Sequence, residues 1–204
     1  MLGPEGVTRG VTQQAKATLP ARLAEFRTRY ATTAESLPDF REVYPDEINA
    51  LSIEKYPALA VVIPSTVSTR STQARQTDVG DSYEEYSYRY NVQLYSYAAG
   101  STTAETSLAI KRYTLAVREA FLADKILPTP GMDDAQVDPA TVTESYSELD
   151  KRDNKFIAAS VVQFEVVTHE RLYFIQRFTD PAQLVLGATL TVSTSPDQHP
   201  IDLE

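Results

Sequence analysis

The sequence predicts an α+β fold: a mainly antiparallel four-stranded sheet with two helices packed on one face, plus a C-terminal extension. Three patterns carry this. Residues 83–97 alternate, with Tyr86, Tyr88, Tyr90, Val92 and Leu94 on one side and Glu85, Ser87, Arg89, Asn91 and Gln93 on the other. Successive strand side chains point to opposite faces, so this is one long strand with one buried face. Residues 156–169 alternate in the same way, with Val162, Phe164 and Val166 set against Gln163, Glu165 and His169. Two stripes at helical spacing, Leu19-Leu23-Phe26-Tyr30 and Ile110-Tyr113-Val117-Phe121, each need an apolar surface to cover.

In chain order, a weakly helical polar stretch over 7–18 precedes the first helix, which is expected over 19–31, either starting there or continuing a kinked helix from about Val11. Pro20 sits near its start, where a missing N–H costs little. Residues 35–56, with Pro38 and Pro45, read as an irregular connection with a short helical turn near 46–51. The apolar run 58–63 between Pro57 and Pro64 reads as a strand buried on both faces and ended by Pro64. Residues 65–82 are a long polar loop. After the long strand, Gly100 leads to Thr102 and Glu105, which have the spacing of a capping box. The main helix follows over 106–124, its stripe widened by Leu108, Leu115 and Leu122, and Pro128 and Pro130 terminate it. Residues 126–139 form a Pro/Asp loop and 140–149 an edge strand. A charged turn at 151–155 then leads to the second long strand. Segregated hairpins with helices on one face make two layers. The domain is placed at 1–169 and the extension at 170–204, where residues 184–192 (L-V-L-G-A-T-L-T-V) suggest a short strand.

The chain has 204 residues, 42% hydrophobic and 23% charged, enough for one domain with a core. Its formal net charge of −9 argues against a dedicated nucleic-acid binder, whose footprint is a basic patch. It contains no cysteine, which excludes thiol catalysis, zinc–thiolate sites and disulfides. No signal-peptide pattern is expected at the start, and the longest apolar run is too short to span a bilayer.

Chemistry is sparse. His169 and His199 are the two histidines, and no G-x-S-x-G elbow surrounds a serine. His169-Glu170-Arg171-Leu172-Tyr173 begins like a zinc motif, but Tyr173 stands where the second histidine belongs. Asp133, Asp134 and Asp138 lack calcium-loop spacing, and no phosphate-cradling glycine loop exists. No catalytic, cofactor-binding or metal-binding residue is assigned. The tyrosine-rich strand allows a base-stacking platform, but its continuation into Val92 and Leu94 and the acidic charge favour a core or subunit interface.

The order of elements, and the texture of Y-P-A-L-A-V-V-I-P, Y-R-Y-N-V-Q-L-Y-S-Y, T-A-E-T-S-L-A-I-K-R-Y-T-L-A-V-R-E-A-F-L and A-A-S-V-V-Q-F-E-V-V, resembles the tail terminator (tail-completion) proteins of long-tailed bacteriophages over residues 19–169. The resemblance lies in element order and carries no invariant short motif; the extension at 170–204 departs from the compact members. It implies a structural protein without catalytic residues, forming a ring, commonly a hexamer, on the head-proximal end of the tail tube. The implied partners are copies of itself, the major tail tube protein and a neck or head-closure protein. Genomic DNA would pass through the channel without specific binding. The implied location is the virion, after assembly in the host cytoplasm. Another head–tail connector of the same virion and a tyrosine-rich binding domain are the alternatives. Under this reading the candidate interface residues are Arg70, Arg75, Asp78 and Asp81 in the first long loop, Glu85 and Arg89 on the polar side of the long strand, and Asp133 and Asp134 in the second loop.

Overall fold

A computed structural model describes residues 3–46, 53–70, 75–76, 82–128, 135–147, 149–152 and 154–173. The chain runs α1 (Gly3–Arg29), β1 (Glu42–Tyr44), β2 (Ala58–Arg70), β3 (Arg75–Gln76), β4 (Ser82–Gly100), α2 (Thr103–Ala123), β5 (Gln136–Tyr146), β6 (Asp150–Arg152) and β7 (Lys155–Tyr173). The architecture is α+β with two helices and a mixed, open sheet. The main path of that sheet is β1-β2-β4-β7-β5, and the short β3 and β6 pair onto β4 and β7. The four expected antiparallel strands are its long members. The expectation missed β1, which pairs parallel to the first residues of β2. Three residues between prolines are too few to show a period, so sequence pattern reads them as irregular.

β4 and β7 form the spine. Their antiparallel register runs unbroken from Tyr83 opposite Tyr173 to Gly100 opposite Phe156. At 19 residues each, these strands are about 60 Å long, against about 40 Å for the 27-residue α1 and about 30 Å for the 21-residue α2. One face of the spine carries Tyr90, Val92, Leu94, Val162, Phe164 and Val166, all buried beneath Val7, Val11, Ala15 and Leu19 of α1 and Val117, Ala120 and Phe121 of α2. Farther along the same face the residues are small: Ser96, Ala98, Ala158 and Ser160, all buried. This lets α2 approach closely enough for Thr114 Oγ1 to meet Ser160 Oγ at 2.7 Å. Leu23 and Phe26 of α1 and Ile110 and Tyr113 of α2 complete a second apolar cluster there.

α1 begins at Gly3, earlier than either expected start at Leu19 or about Val11, and its stripe is narrow. Val7, Val11, Ala15, Leu19, Leu23 and Phe26 recur every fourth or third residue between polar flanks, and Pro20 lies within the helix. The helix ends with the Thr32 N–H bonded to Arg27 O at 2.9 Å, and with Ala31 at φ +47° in the left-handed region. That is the Schellman arrangement, with alanine where glycine is usual.

β2 does not stop at Pro64. Val62 faces Gln93 but Ser65 faces Asn91, so Ile63 and Pro64 together stand opposite Val92. This bulge absorbs a residue that cannot donate to the ladder, and β2 continues to Arg70. Much of the expected loop 65–82 is therefore strand, and residues 71–74 and 77–81 lie outside the described residues. α2 begins as expected: Thr102 caps it, accepting the Glu105 N–H at 3.2 Å. A Cβ on Gly100 would stand 2.5 Å from Thr106 Oγ1, so the turn from β4 into α2 needs glycine for close approach. Leu108, expected to widen the buried stripe, is exposed. β7 reaches Tyr173, past the expected boundary at 169; residues 174–204, with the suggested strand at 184–192, lie outside the described residues, as does most of the suggested turn at 46–51.

Ala31→Gly is expected to raise stability by about 0.5–1 kcal/mol, the relief of a left-handed side chain less the added freedom of the unfolded chain. Urea unfolding should show a higher midpoint at unchanged slope. A lower midpoint would contradict the cap.

Candidate assembly surface

Among the described residues no helix packs on the other face of the spine. The residues there are the odd-numbered ones of β4 and β7, with Ala58, Ala60 and Val62 of β2 before the bulge and Ser65 and Val67 after it. One end of this face is closed by the chain itself: Ala58, Ala60 and Tyr97 cluster with Ile53, and Tyr44, Tyr56, Tyr95 and Ala159 pack against them. Tyr95 and Tyr97 stack with ring centroids 6.4 Å apart.

The middle of the face is a polar ladder. Gln93 Nε2 donates to Gln163 Oε1 at 3.2 Å, and the Tyr95 hydroxyl donates to Gln93 Oε1 at 2.8 Å. Asn91 Oδ1 is buried without a hydrogen-bond partner. Next to it the exposed Arg89 guanidinium lies 2.7 Å from Glu165 and 3.1 Å from Asp138. These carboxylates, Glu165 first, hold the guanidinium above its ordinary pKa. Ion pairs this exposed add little to stability, so the cluster is better understood as a patterned surface than as a brace. His169 is the Cα partner of Ser87 on this face, and no side-chain hydrogen bond joins them.

The candidate interface residues are only partly brought together. Arg70 ends β2 opposite Tyr86, and Arg75 opens β3 opposite Tyr83, so both belong to the strands at the same end of the sheet. Glu85 is half-buried and stands opposite Arg171 in the β4–β7 ladder. Arg89 lies on the helix-free face. Asp78, Asp81, Asp133 and Asp134 lie outside the described residues.

Sequence reasoning missed Glu170, which it placed in the extension. Glu170 is buried on the helix side. Its Oε1 accepts the Tyr90 hydroxyl at 3.0 Å, Thr168 Oγ1 at 3.4 Å and the Gly3 N–H at 3.4 Å. A carboxylate at the first turn of a helix answers its unpaired N–H groups and its positive end, so Glu170 fastens the start of α1 to the sheet. The even spacing Thr168–Glu170 continues the β7 alternation and was the available signal.

Among the described residues two edges of the sheet are largely without a pairing strand. β1 covers β2 only over Ala58–Ala60, and among the described residues no strand pairs with the outer side of β2 from Val61 onward. Beside that edge runs a groove of about 1090 Å³, lined by Glu5, Arg9, Thr12 and Lys16 of α1, by Pro45 and Asp46 after β1, and by Val61 and Ile63 of β2, with Arg9 paired to Glu5 at 2.8 Å. At the opposite edge β5 carries a wide bulge. Asp138 faces Glu165 and Thr143 faces Gln163, so residues 139–142 stand opposite Phe164. Its loose groups are met locally: Thr141 Oγ1 accepts the Glu165 N–H at 2.8 Å, and Asp138 Oδ1 accepts the Ala140 N–H at 3.1 Å.

Among the described residues no group of three His, Cys, Asp or Glu side chains is placed to hold a metal ion, and no helix is long and apolar enough to cross a membrane. Comparison of the chain with protein-family models and with curated proteins gives no match.

Burial, and secondly the bond to Glu170, push the Tyr90 hydroxyl above its ordinary pKa. As pH rises past about 10, the unfolded chain gives up this proton before the folded one does. The contribution is therefore complete below about pH 10 and is lost as pH climbs through the folded pKa. Stability of the native chain should fall across this alkaline range, and Tyr90→Phe should flatten part of the fall. Equal alkaline slopes in urea unfolding would contradict the Tyr90–Glu170 contact.

Proposed function

We propose that the protein is a structural virion protein that caps the head-proximal end of a phage tail tube as a ring, ends tube polymerisation and joins the tail to the neck. The observation that carries this reading is the arrangement of elements. A helix, a long hairpin, a second helix and a second long strand pair form two layers with both helices on one face, the arrangement implied by the resemblance over residues 19–169. The helix-free face supports it further. In a ring subunit such a polar face would line a passage or meet a neighbour, although a solvated polar face is also ordinary for a mainly antiparallel sheet. The charges described there, Glu165 and Asp138 around Arg89, lean acidic and suit a wall that DNA passes without adhering.

In this role the subunit needs no cofactor. Its partners are other copies of itself, probed most directly as a hexamer, the tail tube protein below and a neck protein above, in particles assembled in the host cytoplasm.

Purified protein added to polymerising tail tube protein should arrest elongation, leaving short tubes capped at one end in electron micrographs. Tubes of unchanged length with no density at their ends would overturn the terminator reading. Density confined to the portal side of the neck would favour a different head–tail connector.

A further inference from the structure

We infer that the outer ridge of α2 is a docking surface for an acidic amphipathic helix of a partner protein. The inference does not depend on the ring. α2 is apolar on two sides. Its core side carries Ile110, Tyr113, Val117 and Phe121, all buried. At 3.6 residues per turn, Leu108, Leu115 and Leu122 fall on the opposite side, one above another at seven-residue spacing. Leu108 is 49% exposed, and Leu115 and Leu122 are half-buried. A single exposed leucine is ordinary on a folded surface. Three in line on the side away from the core form a ridge, where an amphipathic helix is otherwise polar. A seven-residue repeat is also the spacing at which two helices stay in contact along their length.

The charges beside the ridge say what fits it. α1 carries five Lys and Arg against two Glu, and α2 three against two, a balance of +4 in a chain whose net charge is −9. Lys111 and Arg112 flank the ridge on its two sides, between Leu108 and Leu115, and among the described residues no carboxylate pairs with either. Every other arginine of the two helices is paired with a carboxylate. Arg112 instead lies over the Tyr30 ring, 4.8 Å from its centroid, and Tyr30 is 38% exposed. Tyrosine and arginine are the residue types that anchor interfaces. Leucines with free cations on both sides suit a helix that sets apolar residues between Asp and Glu. A second copy of α2 suits them badly. Laid antiparallel about Leu115 it brings Lys111 beside Arg118, and laid parallel in register it brings Lys111 beside Lys111, like charges in both cases.

The test uses the full chain and two labelled leucine-heptad peptides about as long as α2, one with Glu beside its leucines and the other with Lys. In fluorescence anisotropy at low salt the acidic peptide should bind about tenfold or more tightly than the basic one, and added salt should narrow the difference. Leu108→Ser should weaken the acidic peptide about tenfold, and Lys111→Glu should shrink the ratio between the two peptides. Both side chains are exposed, so circular dichroism should be unchanged for either variant. No binding of the acidic peptide, equal binding of the two, or a ratio that Lys111→Glu leaves unchanged would overturn the proposal. Self-association of the native chain that Leu108→Ser abolishes would place a second copy on the ridge and overturn it as well.

Discussion

The structure depends on the unbroken antiparallel pairing of β4 with β7. Two 19-residue strands in continuous register fix every later choice, because a slip of one residue would move Tyr90, Val92, Leu94, Val162, Phe164 and Val166 from the core to the open face. Both helices are placed by that face. Large side chains near Tyr90 and Phe164 meet the apolar stripe of α1 and the end of α2, and the small residues Ser96, Ala98, Ala158 and Ser160 set how closely α2 lies. Glu170 belongs to the same register: two positions beyond Thr168, it arrives where the first turn of α1 needs an acceptor.

The same constraint explains the surfaces that remain. A spine of about 60 Å outruns both helices, and both helices lie on one side of it. Among the described residues the other face is covered at one end, by Tyr44, Tyr56, Tyr95 and Tyr97. Elsewhere it is a ladder of Gln93, Gln163, Arg89 and Glu165, polar enough for water yet ordered by hydrogen bonds and ion pairs. The bulges at Ile63-Pro64 and at residues 139–142 then shape the two edges unequally, one open and one narrowed.

Period-two alternation made β4 and β7 legible in the sequence to within a few residues, and Thr102 with Glu105 marked the start of α2. The early half of α1 was legible only as a weak helical stretch, because Val7, Val11 and Ala15 form a one-residue-wide stripe among threonines and glutamines. β2 past Pro64 was hidden because proline is a fair stop signal unless a bulge accommodates it, and only the partner strand reveals a bulge. Of the candidate interface, Arg89 and Glu85 were legible from alternation alone. The pairing of Arg89 with Asp138 was not, because it depends on β5 lying beside β7 in a register that its own bulge sets. The groove beside α1 was equally hidden, being made of an edge that sequence cannot distinguish from an interior strand.

The central claim is that copies of this chain assemble into a closed ring. Native mass spectrometry of the full chain over a wide concentration range tests it most directly. The account predicts one assembled species of fixed copy number whose mass does not grow as concentration rises. A monomer throughout, or a series of ever-longer open chains, would contradict it.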